Sequence, residues 1–134
     1  MKKIDFKGVY LEKCTYWLII AGVITFVSVF KFLNLDLESR FIWATVLVGI
    51  ETYFVFYLNR YEPKVINFNN DQFEIVYRNK IFFSKPDKVY LKKDVKAVAQ
   101  PNIIILSDNN ELICKLRKKD LSNTGWSLIT NYFV

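Results

Sequence analysis

Two long apolar runs stand at the front of this chain, and a short-period alternation of apolar and polar residues follows them. Residues 16–33 read YWLIIAGVITFVSVFKFL, with Lys31 their only charge, and residues 41–58 read FIWATVLVGIETYFVFYL, with Glu51 their only charge. A soluble helix shows a polar face every 3.6 residues or so, and neither run has one. At about 18 residues each, they reach the lower end of the roughly 17–25 that cross a hydrocarbon core. The pattern predicts a transmembrane hairpin over 16–58, with helices at 16–34 and 41–58. The first run lacks a small-residue cleavage pattern and a second run follows at once, which argues against a signal peptide.

After Leu58 the texture changes within a few residues. NRYEPKV, over 59–65, brings polar residues and a proline and predicts a linker at 59–64. Beyond it, VINF, the turn NND and QFEIVYRN read as a hairpin, with Phe73, Ile75 and Tyr77 alternating with Glu74, Val76 and Arg78. KIFFSKPDKVYL reads as two short strands around an SKPD turn, and KKDVKAVAQP as a further strand ended by Pro101. NIIILSDNNELICKLRKK gives the clearest hairpin, Ile103 to Leu106 followed after SDNN by Leu112, Cys114 and Leu116 on one face. The last segment changes period: Trp126, Ile129 and Phe133 form one helical stripe, with Asp120 or Ser122 as N-cap. The expected fold is thus a membrane α hairpin plus a small antiparallel β domain over 65–134, a barrel or sandwich closed by one C-terminal amphipathic helix.

Charge orients the hairpin. Residues 1–15 carry net +2, the connection NLDLESR carries −1, and the chain from Arg60 onward carries +5. Positive charge marks the cytoplasmic side, so residues 1–15 form a cytosolic N-terminal segment, both termini lie inside, and the connection faces out. This places the chain in a bacterial inner or plasma membrane. The two cysteines, Cys14 and Cys114, fall on the cytosolic side, where a structural disulfide is improbable; Cys114 reads as a small buried hydrophobe.

A transmembrane hairpin, an antiparallel domain of this length, the segment KVYLKKDVKAVAQ and then NIIILSDNNELICKLRKKDLSNTGWSLITNYF together resemble bacterial membrane proteins of the YcxB-like group. The resemblance implies a pleckstrin-homology-like (PH-like) domain at the C-terminal end and brings no catalytic residue to carry over.

The chemistry of the side chains narrows the function further. The chain has no histidine, and its glycines, Gly8, Gly22, Gly49 and Gly125, are too scattered for a phosphate loop. No catalytic, cofactor-binding or metal-binding constellation is evident, and a non-enzymatic role is expected, with no small-molecule substrate. Glu51 falls ~15 Å below the outer surface at 1.5 Å per residue, near mid-bilayer. A carboxylate there is protonated, paired or facing protein. Thr25 lies at matching depth and Ser28 one turn higher, so either hydroxyl could meet it; the alternatives for Glu51 are an interhelical hydrogen bond or an ion-coupling or partner-binding role. Ala21, Thr25 and Ser28 on the first helix, and Thr45, Gly49 and Thr52 on the second, form small-residue stripes suited to close packing within the hairpin or against a copy or partner. Trp17, Trp43, Tyr57 and Tyr61 sit at run ends as interfacial anchors.

Two groups of basic residues, Lys85, Lys88, Lys92, Lys93 and Lys96, then Lys115, Arg117, Lys118 and Lys119, could meet anionic headgroups or a partner. Most such lysines are solvated strand edges. Nucleic acid is a poor fit, because the aromatic residues alternate inward instead of interleaving with the basic ones. Three functions fit: a membrane-anchored interaction module that binds a protein or the lipid surface, an immunity or resistance protein against a membrane-active toxin, and a small subunit of a transporter or secretion complex that uses Glu51.

Overall fold

The computed structural model describes residues 1–7 and 10–134; Gly8 and Val9, the first of them one of the scattered glycines above, lie outside the described residues. The chain divides into two compact units, residues 9–59 and a second body made of residues 1–8 together with 60–134.

The first unit is a pair of helices, α1 (Tyr10–Phe32) and α2 (Leu37–Leu58). Both carry windows apolar and long enough to cross a membrane. Helix α1 starts and stops earlier than hydropathy alone suggests, and α2 starts four residues before Phe41. Local capping explains the early start of α2: Asp36 accepts hydrogen bonds from the Ser39 amide at 3.0 Å and the Ser39 hydroxyl at 2.7 Å, so Asp36 is the N-cap. Those two bonds also hold the Asp36 carboxyl below the usual carboxylate range. The preceding helix end is tied to the same turn, since Arg40 Nη1 donates to the Phe30 carbonyl at 3.2 Å, one of the acceptors a helix C-terminus leaves open. Phe30 and Phe41 meet edge to face at 4.9 Å, and Phe26 stacks on Phe30 at 5.5 Å. The connection is therefore a built turn.

Among the described residues the second unit holds seven strands, one α-helix and two short 3-10 turns. Strand β1 (Lys2–Asp5) comes before the helices; β2 (Pro63–Phe68), β3 (Gln72–Tyr77) and β4 (Lys88–Leu91) follow them, and all four form one antiparallel sheet in sequence order. Strands β5 (Val95–Gln100), β6 (Ile103–Asp108) and β7 (Glu111–Arg117) form a second sheet, and helix α3 (Asn123–Phe133) ends the chain. Residues 2–5, expected as part of a separate segment, are instead an edge strand, with Lys2 opposite Phe68 and Asp5 opposite Val65. Ile4 and Phe6 are buried in the same core as Ile66, Phe73, Tyr77, Leu106 and Ile129. The β domain thus runs through both sides of the hairpin in sequence.

Two local departures from simple alternation have visible causes. KIFF, expected as a strand, is a turn: Asn79, 1% exposed, donates from Nδ2 to the Phe82 carbonyl at 2.7 Å and accepts from the Ile81 amide at 3.1 Å, and Phe83 lies in the left-handed region with φ 55°. In β7 a bulge intervenes, because Leu106 pairs with Cys114 but Ser107 pairs with Leu112. The extra residue, Ile113, turns into the core beside Cys114 and Leu116, and Leu112 is only partly buried. The β6–β7 turn is carried by Asn109 and Asn110, both at positive φ, a conformation asparagine tolerates.

Helix α3 packs Ile129, fully buried, against both sheets, with Trp126 and Phe133 partly buried on the same stripe. Ser122 is its N-cap, accepting from the Gly125 amide at 3.1 Å. Gly125 fits closely there: an added Cβ would lie 3.1 Å from Ser122 Oγ, close enough that the capping hydroxyl would have to shift slightly, and would be in ordinary contact with Ile4 and Leu121 at 3.7 Å. Ser122→Ala is expected to lower the stability of the domain by about 1 kcal/mol, a loss of a few degrees in the thermal melt of the full chain in detergent. An unchanged melt would mean that another group satisfies the Gly125 amide.

Candidate functional site

The charged group inside the apolar hairpin sits in the seam between its helices. Thr25 Oγ1 donates to Glu51 Oε1 at 2.6 Å, and the second carboxyl oxygen is buried without a hydrogen-bond partner. Ser28 makes no hydrogen bond to Glu51 among the described residues. An added Cβ on Gly22 would be in ordinary contact with both methyls of Val48 at 3.8 Å, so α1 and α2 are packed against each other there, and Ala44, one turn from Val48, is fully buried. The small-residue stripe read from the sequence divides differently. Thr45 and Thr52 turn their hydroxyls back onto their own helix, donating to the Phe41 and Val48 carbonyls at 2.8 Å each. Gly49 is exposed with nothing near an added Cβ, and Ala21 is half-buried. The tight seam therefore runs through Gly22, Ala44 and Val48, and Gly49 faces away from it.

The basic residues do not gather on one face. Lys92 and Lys93 occupy a 3-10 turn beside the β2–β3 turn, where the Lys92 amide donates to the Asp71 carbonyl at 2.9 Å, and Lys92 Nζ lies 4.7 Å from the Tyr132 ring centre. Lys118 and Lys119 occupy the turn after β7, beside the place where the chain leaves β1, since the Lys7 amide donates to the Asp120 carbonyl at 2.8 Å. The length of a six-residue strand, roughly 20 Å at ~3.3 Å per residue, separates these two ends of the domain. Lys96 and Lys115 are exposed on β5 and β7, with Arg117 partly buried at the end of β7. Lys85 is engaged elsewhere: its Nζ reaches Glu111 Oε1 at 2.9 Å and holds that carboxyl below its ordinary range.

The sequence reading overlooked the end of the domain where the chain leaves and returns. There Arg78 Nη2 donates to the Phe6 carbonyl at 2.8 Å, the Arg78 amide donates to the Glu62 carbonyl at 2.9 Å, and the Arg78 and Glu62 side chains form an ion pair at 3.3 Å. The signal was faint: an arginine directly after a strand whose partner strand starts at a proline. Deep in the domain, the buried Tyr77 hydroxyl donates to the Ile113 carbonyl at 3.0 Å, and burial pushes both this phenol and the Cys114 thiol well up from their ordinary values. Cys114, with its thiol protonated and no solvent access, packs as an apolar side chain. No three His, Cys, Asp or Glu side chains gather among the described residues in a way that could hold a metal ion.

Comparison of the chain with family models, with curated proteins and with solved structures found no match.

Proposed function

We propose that this chain is a non-enzymatic membrane-anchored interaction module. Its hairpin spans a bacterial inner or plasma membrane, and its β domain works at the cytosolic face, on the anionic lipid surface or on a protein partner. The observation that carries the reading is the apolar surface of the hairpin. Within it only Val29, Ala44 and Phe56 are buried among the described residues, while Trp17, Ile19, Val23, Ile24 and Ile42 all stay more than half exposed. A soluble protein does not leave such a surface in water, and helices whose backbone bonds are internal can leave it in lipid.

The sheet topology supports an even number of crossings. Residues 2–5 and 65–68 pair in one sheet, so the two flanks of the hairpin belong on one side of any bilayer it enters. The excess of lysine and arginine in those flanks favours the cytosol. Four antiparallel strands, then three, then a helix packed into the core is compatible with the PH-like domain that the resemblance to the YcxB-like group implies. Glu51, already hydrogen-bonded by Thr25, fits an interhelical contact better than the working residue of a transporter.

Topology is tested in living cells with a membrane-impermeant maleimide, in a Cys14→Ser background. Leu35→Cys in the connection is expected to react from outside. Asn110→Cys in the β6–β7 turn is expected to react only after the membrane is broken. The reverse pattern, or a chain that alkaline carbonate releases from membranes, would overturn the reading.

A further inference from the structure

We propose that β5 is a docking edge, on which an extended segment of a partner protein pairs as an added strand, with acidic side chains beside Lys96 and apolar ones beside Ala97 and Ala99. The inference rests on the β domain being the interacting part of the module and deepens that reading, because it names the surface and the chemistry of the partner.

The two sheets leave four edge strands, β1 and β4 in the first and β5 and β7 in the second. An edge offers a row of unpaired amides and carbonyls, and proteins blunt it by shortness, bulges or charge. Strands β1 and β4 are four residues each, and β7 carries the bulge at Ile113. Strand β5 is six residues long, and all six pair with β6 in unbroken register, from Val95 opposite Asp108 to Gln100 opposite Ile103. Its only proline neighbour, Pro101, follows its end. The chain enters β5 from β4 through the 3-10 turn Lys92–Asp94, and the two strands do not pair. Among the described residues the backbone of residues 96–100 bonds to no element but β6. The other side of this strand is therefore the longest regular free edge of the domain.

The side chains on the two faces of the edge select the occupant. By register, Lys96, Val98 and Gln100 share a face with Ser107, Ile105 and Ile103 of β6, and Ile105 stands opposite Lys115 of β7. Lys96 and Lys115 are exposed, and none of these positions holds a carboxylate. Val95, Ala97 and Ala99 alternate to the core side. Val95 and Ala97 are only partly buried against the core, and Ala99 is exposed in spite of its inward register. The core thus ends short of the sheet edge, where an added strand could bring apolar side chains over the two alanines. Lys96 is the only charge on β5, and among the described residues it pairs with no carboxylate. A second copy would bring its own Lys96 to the edge, and like charges on paired strands are destabilising. An acidic segment meets the same lysine as a favourable cross-strand pair, while main-chain bonds hold it and alternate side chains select it.

The test uses the full chain in phosphatidylcholine nanodiscs and, as probe, a fluorescein-labelled peptide of alternating valine and glutamate. Expected is saturable binding by fluorescence anisotropy, weakened about five-fold or more by Lys96→Glu. The same peptide with every backbone amide N-methylated keeps its charge but has no donors for the edge, and no binding is expected. Amide hydrogen exchange in the complex is expected to slow at alternate residues of 95–100, those whose N–H groups leave the edge, and to stay unchanged in β1 and β4. Equal binding of the methylated peptide would overturn the edge in favour of charge attraction alone, and slowed exchange in β1 or β4 instead would overturn it in favour of another edge. Disulfide dimers forming faster at Val98→Cys than at Asn110→Cys, both in a Cys14→Ser background, would overturn it in favour of a second copy. No binding by a chain that stays in membranes would remove the edge and leave the anchored reading standing. The expected binding by a chain that alkaline carbonate releases from membranes would remove the anchored reading and support the edge.

Discussion

Phe73→Ala is expected to destabilise the β domain by about 3–5 kcal/mol, the usual cost of deleting a buried phenylalanine ring. The ring is 1% exposed on β3 and makes three aromatic contacts: it stacks on Tyr90 of β4 at 5.6 Å, meets Phe133 of α3 at right angles at 4.9 Å, and meets Tyr132 at 6.4 Å. Removing it empties a site shared by the first sheet and the closing helix, and it forfeits ring pairs worth about 0.5–1.5 kcal/mol each beyond burial. Denaturant unfolding of the full chain in micelles, followed by the fluorescence of Trp126 in a Trp17→Phe, Trp43→Phe background, reads the domain separately from the two long helices. Phe73→Leu, which keeps most of the volume, is expected to lose far less. A loss below about 1 kcal/mol for the alanine variant would mean that α3 does not lean on β3 for its place.

At the centre of the hairpin the contrast is between Glu51→Gln and Glu51→Lys. Glutamine keeps a carbonyl oxygen for the Thr25 hydroxyl and replaces the other, unpartnered oxygen by an uncharged amide NH2 of nearly the same size, so the hairpin is expected to change by less than about 1 kcal/mol. Lysine has no acceptor for Thr25 and places a cation near mid-bilayer, with a penalty of about 2.5–3.5 kcal/mol on the insertion scale. That corresponds to a fall of roughly a hundred-fold in the ratio of inserted to uninserted chains. Labelling of Leu35→Cys from outside intact cells measures the ratio for each variant. Equal insertion of the two variants would place Glu51 outside the hydrocarbon.

The parts of the fold that declare themselves in the sequence are those held by short-range physics. The two helices show as unbroken apolar runs, and α3 shows as the stripe Trp126, Ile129, Phe133. Thr25 and Glu51 meet because a fixed rise per residue sets their depth from a common turn. The features that escape are those made by one side chain or by distant pairing. Strand β1 is four residues with one buried position, and its partner β2 begins at residue 63, so no local window contains the pair. KIFF has strand-forming residues, yet the Asn79 side chain turns the backbone first. The bulge at Ile113 exchanges it for Leu112 without any change in composition. Arg40 counts as one more charge in the connection until its guanidinium is seen on the Phe30 carbonyl.

The placement of β1 ahead of the helices gives the proposed topology a means of proofreading. Strand β1 is synthesised first, and its pairing partner follows only after the whole hairpin. If one helix failed to cross, β1 would be left on the opposite side of the membrane from β2. The sheet would then lack its first strand, the Val65–Phe68 edge would be bare, and the places of Ile4 and Phe6 in the core would be empty. A chain with one helix left uncrossed thus cannot complete its β domain, and cellular proteases would meet it as an unfolded protein.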